Sequence, residues 1–226
     1  MIMRYIFLDT ESSNCFNHVY KICEYGYVTA DKNLNLIKGG KKDVLVNPGN
    51  DRNSRFHLKG RKGGRDLILA HDEKEYKNHP TFDAMGDNLR FLLTQKDIKI
   101  FLWAGENDIQ AIIDNCYRYG FSPISFVSYD VQILYRNIMK PEKTPSLEKA
   151  MEELGIPNEN IVAHRPDEDS LMTLLILKAL SEKTGKTVEA LLNECPECKR
   201  DSIPFYGELI KKRNRKKKKP STNNKA

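Results

Sequence analysis

The stretch that most constrains the fold is a short apolar run, residues 5–8, that ends in two carboxylates. Its sequence, Tyr-Ile-Phe-Leu, predicts a buried strand. Asp9 and Glu11 follow at once and, being two positions apart, place their side chains on the same side of that strand. Two anions at the end of a buried strand repel each other unless a cation joins them. A lone Asp-x-Glu is more often a plain polar strand end, so its meaning depends on the rest of the chain.

The remaining hydrophobic pattern predicts an α/β domain. Apolar runs predict further strands at residues 21–30, 43–47, 98–103 and 125–129. Helical spacing predicts helices at residues 82–93, 109–119, 131–137 and 146–154, and a long apolar helix from residue 166. Strands first, then alternating helices and strands, are typical of a mixed sheet with helices on its faces.

Two more carboxylates lie at the ends of strongly apolar elements. Asp108 lies at the start of the helix that follows the strand at 98–103. Asp169 lies near the start of the long apolar helix, five positions after His164. Carboxylates that buried elements bring together repel each other, and each unit of raised pKa costs about 1.4 kcal/mol. Divalent ions such as Mg²⁺ remove that cost, and a pair of them suits in-line phosphoryl displacement.

Three segments together resemble one family in order and spacing. They are Asp9-Thr10-Glu11, residues 103–108 (Trp-Ala-Gly-Glu-Asn-Asp) and residues 164–169 (His-Arg-Pro-Asp-Glu-Asp). They resemble the three motifs of the DEDDh 3′-to-5′ exonucleases, the superfamily of proofreading subunits and RNase T. The resemblance covers about residues 4–183 and implies an RNase H-like α/β fold, a mixed five-stranded sheet flanked by helices.

One departure from the common family pattern concerns the middle motif. Many members carry a His-Asn pair before the middle aspartate, whereas this chain has Trp103 and Gly105 ahead of Asp108. That is more similar to the subgroup of histone-mRNA 3′-end exonucleases and bacterial sporulation-inhibitor-type relatives. It favours RNA as substrate, but the sequence leaves RNA and DNA both open.

The resemblance implies a role for each matched residue. It implies two divalent ions, Mg²⁺ or Mn²⁺, held by Asp9, Glu11, Asp108 and Asp169. It implies that His164 is the general base, and that Thr10 and Ser12 contact the terminal nucleotide. The implied reaction is hydrolysis from the 3′ end of single-stranded RNA or DNA, with release of nucleoside 5′-monophosphates. The alternative hypothesis is a nucleic-acid-binding or recruiting module that has the same fold and does not turn over.

The charge of the chain is unevenly distributed. Nine of the 37 basic residues lie between Lys211 and Lys225, which leaves 28 basic against 31 acidic residues before residue 211. We therefore predict an exonuclease domain at 1–185, an extension at 186–210 and a basic, disordered tail at 211–226. Residues 52–65 form a second basic stretch with three glycines, a predicted loop. Both could contact a nucleic-acid backbone, and both could equally be solvated surface.

The composition also indicates the cellular compartment in which the protein is expected. The sequence contains no run of 18 apolar residues, so we predict no membrane association. Its five cysteines are an odd number scattered along the chain, which argues against a disulfide framework. A cytoplasmic location is the prediction, and the sequence does not identify protein partners.

Overall fold

The computed structural model describes residues 3–13, 20–49, 69–157, 161 and 164–218. Its sheet has six strands: β1 (Arg4–Ser13), β2 (Lys21–Ala30), β3 (Leu36–Leu45), β4 (Ile98–Leu102), β5 (Val127–Asp130) and β6 (Lys199–Asp201). Across the sheet the order is β3-β2-β1-β4-β5-β6. The strands β1, β4 and β5 are parallel to one another, and β2, β3 and β6 pair antiparallel with their neighbours.

Eight helices accompany the sheet in the described part of the chain. They are α1 (Glu73–Lys77), α2 (Phe82–Thr94), α3 (Glu106–Arg118), α4 (Val131–Met139), α5 (Leu147–Glu153), α6 (Pro166–Thr184), α7 (Val188–Glu194) and α8 (Ser202–Lys218). Side chains of β1 alternate between two cores. Tyr5 and Phe7 pack with α4, α5, α6 and α7, whereas Ile6 and Leu8 pack with α2 and α3. None of the helices described is long and apolar enough to cross a membrane.

The predicted α/β architecture is confirmed, with one more strand than predicted. The sixth strand, β6, pairs antiparallel with β5 at one edge of the sheet. It has three residues, Lys-Arg-Asp, and therefore carries neither an apolar run nor a period-two pattern that sequence reasoning could detect. The predicted count of five strands is wrong for this reason.

The predicted disorder of the basic tail is wrong for residues 211–218, which belong to α8. Two hydrogen bonds hold this helix on α3: Tyr206 Oη donates to Asp114 Oδ1 at 2.6 Å, and Arg213 Nη2 donates to Gln110 Oε1 at 2.6 Å. Composition alone does not reveal such anchors. Residues 219–226 and the predicted basic loop at 52–65 lie outside the described residues.

A close approach between β2 and the first turn of α6 sets the position of that helix. Gly26 lies opposite Asp9 in the β1–β2 pair. A Cβ added at Gly26 would lie 2.0 Å from the backbone nitrogen of Asp167, and Ser170 Oγ donates to the Gly26 carbonyl at 3.0 Å. Only glycine allows this contact, which brings the start of α6 over the carboxylate end of β1.

We expect Gly26→Ala to destabilise the fold by about 2 kcal/mol or more, because the added methyl group overlaps helix backbone that cannot rotate away. Gly207→Ala, in α8, is the matched control. A Cβ at Gly207 meets no described atom within 4 Å, so this substitution should leave stability within about 1 kcal/mol of the wild type, on the stabilising side. Urea unfolding measures both, and equal midpoints for the two variants would contradict the close approach.

Candidate active site

The first part of the site is the end of β1. Asp9 and Glu11 continue the face of Tyr5 and Phe7, which packs against α6. Glu11 lies opposite Glu24 of β2, and the register of the pair shifts immediately after it. The apolar half of β1 therefore fixes the strand in the sheet, and both carboxylates emerge, half-buried, where regular pairing ends.

The second part is a tight turn that leads from β4 into α3. Ala104 has a φ of 52°, and a Cβ on Gly105 would lie 2.5 Å from the Leu102 side chain. Asp130 Oδ1 accepts a hydrogen bond from the Ala104 backbone at 3.3 Å. Since β4 is parallel to β1, this turn starts α3 beside the end of β1 and places Asp108 in the first turn of the helix.

Asp108 is tied directly to β1. Its Oδ1 accepts from the backbone nitrogen of Thr10 at 2.9 Å and from Thr10 Oγ1 at 2.7 Å. Asp108 is only 4% exposed. Thr10 thus positions a carboxylate, and its predicted contact with substrate stays a prediction. Ser12 Oγ is buried and has no hydrogen-bond partner among the described residues, so it has donor and acceptor capacity to spare.

The third part is the entrance to α6. His164 adopts a left-handed backbone with a φ of 64°, and Pro166 occupies the first turn of the helix. The His164 backbone donates a hydrogen bond to the Asp169 carboxylate. One ligand atom each of Glu11, His164 and Asp169 lie within 4.8 Å of one another. The structure therefore brings together residues that are 153 positions apart in the sequence, counting from Glu11 to His164.

Asp9 lies among the other acids of this cluster. Burial raises the pKa of Asp9 well above its ordinary value, and the charges of neighbouring carboxylates raise it further. In order of effect these neighbours are Asp108, Asp169, Glu11 and Glu24. The five residues predicted as a constellation, four acids and one histidine, are thus gathered at one end of the sheet.

The other three acids also hold their protons more tightly than in water. Burial, followed by the charges of Asp169 and Asp108, raises the pKa of Glu11 to about 8. Burial, followed by the charge of Glu148, raises the pKa of Asp169 to about 7. Burial raises the pKa of Asp108 to about 6, and hydrogen bonds from Thr10 limit that rise. The cluster has an excess of negative charge that the described residues do not neutralise.

The donor set fits a hard divalent cation. Asp169 Oδ1 is buried and has no hydrogen-bond partner in the described part of the chain, although it belongs to the cluster. Carboxylate oxygens are the ligands that Mg²⁺ and Mn²⁺ prefer, and bound cations lower the pKa of each acid. Asp9, Glu11, Asp108 and Asp169 could hold such ions.

Sequence reasoning missed three polar residues on the same face of the sheet. Glu24, Asp43 and His71 form a second group whose ligand atoms lie within 4.8 Å of one another. The available signal was Glu24, a charged residue inside the otherwise apolar strand 21–30. Asp43 and His71 gave no signal, because only the pairing of β2 with β3 and the path into α1 bring them to Glu24.

Two further acids at the start of α6, Asp167 and Glu168, form ion pairs with basic residues. Asp167 is 5% exposed, and Lys41 Nζ lies 3.4 Å from its Oδ2 and 2.5 Å from Glu168 Oε1. Arg165 Nε lies 3.4 Å from Asp167 Oδ1. These ion pairs fasten the beginning of α6 to β3.

Comparisons with known proteins give a structural match only. No protein-family model matches the sequence, and neither does any curated protein. The fold is similar to that of E. coli exonuclease I in complex with a dA16 oligonucleotide, with a TM-score of 0.65 and 16% identity over 85% of this chain and 42% of that one. The zinc-bound form of its complex with single-stranded DNA gives a TM-score of 0.67 and 17% identity, over 85% of this chain and 43% of that one. The apo form of exonuclease I gives a TM-score of 0.63 and 15% identity, over 86% of this chain and 44% of that one.

This chain therefore spans less than half the length of exonuclease I. At such low identity the match establishes the fold, which is the RNase H-like fold predicted from the sequence motifs. The chemistry has to be argued from the residues of this chain.

Without divalent ions, we expect the free energy of unfolding to fall as pH rises from about 4 to about 8. The acids have raised pKa values of about 6 to 8 when folded and about 4 when unfolded, so the folded state binds more protons in this range. Each excess proton gives a slope of about −1.4 kcal/mol per pH unit. The contribution of these raised pKa values to the free energy of unfolding is fully present below pH 4 and is lost as pH rises to about 8. At pH 8, Mg²⁺ should restore the lost stability.

Asp169→Asn should flatten the slope and stabilise the ion-free protein at pH 8 by at least about 1 kcal/mol, because it removes one repelling charge. It should also reduce the stabilisation by Mg²⁺. Asp87→Asn, an exposed site on α2, is the control and should change neither quantity. Thermal unfolding with chelator or Mg²⁺ measures this, and a stability that rises with pH in chelator would contradict the repulsion.

Proposed function

We propose that this chain is a metal-dependent 3′–5′ exonuclease that hydrolyses the terminal phosphodiester bond of single-stranded RNA or DNA and releases nucleoside 5′-monophosphates. The observation that carries the proposal is the convergence of Asp9, Glu11, Asp108, Asp169 and His164 at one end of the sheet. The family motifs and the fold of exonuclease I, which has been seen with bound oligonucleotides, support the same proposal.

Each carboxylate has a defined place in this proposal. Asp9, Glu11 and Asp169 would hold one divalent ion on the side of His164, and Asp108 would help to position a second. Two such ions, Mg²⁺ or Mn²⁺, lower the pKa of water and stabilise the charge that develops on the phosphate. Thr10 keeps Asp108 in place through two hydrogen bonds, so the carboxylate does not have to be ordered when substrate binds.

His164 is the proposed general base. A ring nitrogen of His164 lies within 4.8 Å of carboxylate oxygens of both Glu11 and Asp169, so the base is next to two of the proposed metal ligands. Imidazole titrates near neutral pH and can take a proton from the attacking water. The left-handed backbone of His164, followed by Pro166, fixes the direction in which the side chain leaves the chain.

The direction of α8 suggests where the substrate backbone runs. Tyr206 contacts Asp114 and Arg213 contacts Gln110, so α8 runs antiparallel to α3. Its basic end therefore approaches the end of α3 that carries Asp108. Exposed Lys211, Lys212 and Arg215 lie in this part of the helix, where they can attract phosphates towards the site.

A time course with matched RNA and DNA oligonucleotides labelled at the 5′ end tests the function. We expect stepwise shortening that requires Mg²⁺ or Mn²⁺ and stops with chelator. Asp169→Asn should nearly abolish it, and His164→Gln should lower the rate by about 10²- to 10⁴-fold, the usual share of a general base. His79→Gln, at an exposed histidine, is the control and should match the wild type.

Three outcomes would contradict the proposal. Binding of both strands by folded protein without shortening would favour the recruiting module. Internal cuts would indicate an endonuclease. Wild-type rates for a folded Asp169→Asn variant would mean that the cluster is not the active site.

Reversing two charges on α8 tests the path of the substrate. The double variant Lys211→Glu/Lys212→Glu should bind single strands more weakly, and the slope of log K against log salt should decrease by about 0.7 for each lost phosphate contact. Lys32→Glu/Lys96→Glu is the matched control, because these exposed lysines lie near Arg4 and Tyr5, at the other end of β1. Equal slopes for the two double variants would show that α8 does not contact the substrate.

A further inference from the structure

The second polar group on this face, Glu24, Asp43 and His71, comes from three separate parts of the chain. Asp43 of β3 pairs with Gly26 of β2, two positions from Glu24, so Glu24 and Asp43 share one face of the sheet. His71 precedes α1 by two residues. One ligand atom of each lies within 4.8 Å of the other two.

Three atoms of this group are buried and unsatisfied. With both carboxyl groups ionised, Glu24 Oε1, Asp43 Oδ1 and His71 Nε2 have no hydrogen-bond partner among the described residues, and Glu24 is fully buried. His71 Nε2 lies 3.9 Å from both Glu24 Oε1 and Asp43 Oδ2, which is too long for a hydrogen bond. Neighbouring ligands of a tetrahedral zinc ion are about 3.4 Å apart, so His71 Nε2 would have to move about 0.5 Å closer to each of these two carboxylate oxygens to share an ion with them.

A second residue contacts each member of the group through an atom other than the unsatisfied one. Glu75 Oε2 lies 3.0 Å from His71 Nδ1, the arrangement in which a carboxylate fixes the tautomer of a metal-binding histidine. Tyr76 Oη donates to Glu24 Oε2 at 2.6 Å. Arg165 Nη2 donates to Asp43 Oδ2 at 3.3 Å. These contacts occupy Glu24 Oε2, Asp43 Oδ2 and His71 Nδ1, and leave Glu24 Oε1, Asp43 Oδ1 and His71 Nε2 unsatisfied.

The electrostatics of Glu24 fit either a proton or a cation at this position. Burial raises the pKa of Glu24 to about 8 despite the hydrogen bond from Tyr76, and the charge of Asp43 and a hydrogen bond shared with Asp43 when Glu24 is protonated add to the rise. A buried carboxyl group beside a second carboxylate is stabilised either by a retained proton or by a bound ion.

We infer that Glu24, Asp43 and His71 form a binding site for one zinc ion, separate from the proposed catalytic ions. Imidazole with two carboxylates suits zinc, whereas Mg²⁺ prefers oxygen ligands and retains its waters. His71 is 21% exposed, which leaves a water molecule access to a fourth position. The ion joins β2, β3 and the chain that enters α1, so its role is structural.

Zinc binding in the presence of millimolar Mg²⁺, which occupies the carboxylate cluster around Asp9, tests this site. The full-length protein is stripped with chelator and titrated with zinc by calorimetry, and native mass spectrometry counts the bound ions. We expect one zinc ion per chain and a higher thermal unfolding temperature with zinc. His71→Gln should weaken this binding by about 100-fold or more, since loss of even an outer partner costs 10- to 100-fold.

Two controls separate this site from the proposed active site. His79→Gln should bind zinc like the wild type, and Asp169→Asn should keep this zinc ion even if it loses hydrolysis. Cobalt supplies an independent signal, because its visible absorption should change in His71→Gln and not in His79→Gln. If His71→Gln does not fold, Asp43→Asn replaces it, with the same expected loss.

The inference would be overturned by wild-type zinc binding in folded His71→Gln or Asp43→Asn, or by a zinc ion that is lost only in Asp169→Asn. It would also be overturned by binding of zinc only at millimolar concentration. In that case the three side chains form a buried polar cluster that needs no metal.

Discussion

Repulsion between buried carboxylates is the constraint on which this structure depends. Asp9 and Glu11 leave the same face of β1, Asp108 reaches them from α3, and Asp169 reaches them from α6. Each has a raised pKa, and burial is the first cause every time. The apolar halves of β1 and β4 and the core beneath α6 provide the free energy that holds these groups together. A cation bound among them would offset this electrostatic cost, so stability and the proposed catalysis would depend on the same binding event.

The precision of the site comes from contacts that leave no space for larger residues. Gly26 lets the first turn of α6 lie on β2, and Gly105 lets the turn after β4 close on Leu102. Each glycine allows a close contact between a strand and the start of a helix that carries a carboxylate. The ion pairs of Lys41 with Asp167 and Glu168 then fasten α6 from the side of β3. Misplacing either helix would separate the carboxylates, even with every acid present.

The sequence was informative where carboxylates end strongly apolar elements, and uninformative where contacts depend on register. Asp9, Asp108 and Asp169 could be recognised because each follows or begins an element that the hydrophobic pattern defines. Glu24, Asp43 and His71 could not, since their proximity follows from the β2–β3 pairing and from the path into α1. Short polar elements were not predicted, for a different reason. Strand β6 and the basic half of α8 are held by pairing and by contacts with α3, which composition does not encode.

The two polar groups on this face of the sheet differ in the way a structural and a catalytic ion site should differ. Asp9 and Glu11 at the end of β1, and Asp169 in the first turn of α6, are half-buried where a phosphate could reach them. Glu24 is fully buried behind them, and its partners are each fixed by a second residue. Arg165 connects the groups, because it follows His164 in the chain and pairs with both Asp43 and Asp167. An ion bound at Asp43 would therefore stabilise the loop that carries the proposed base, although it takes no part in the reaction.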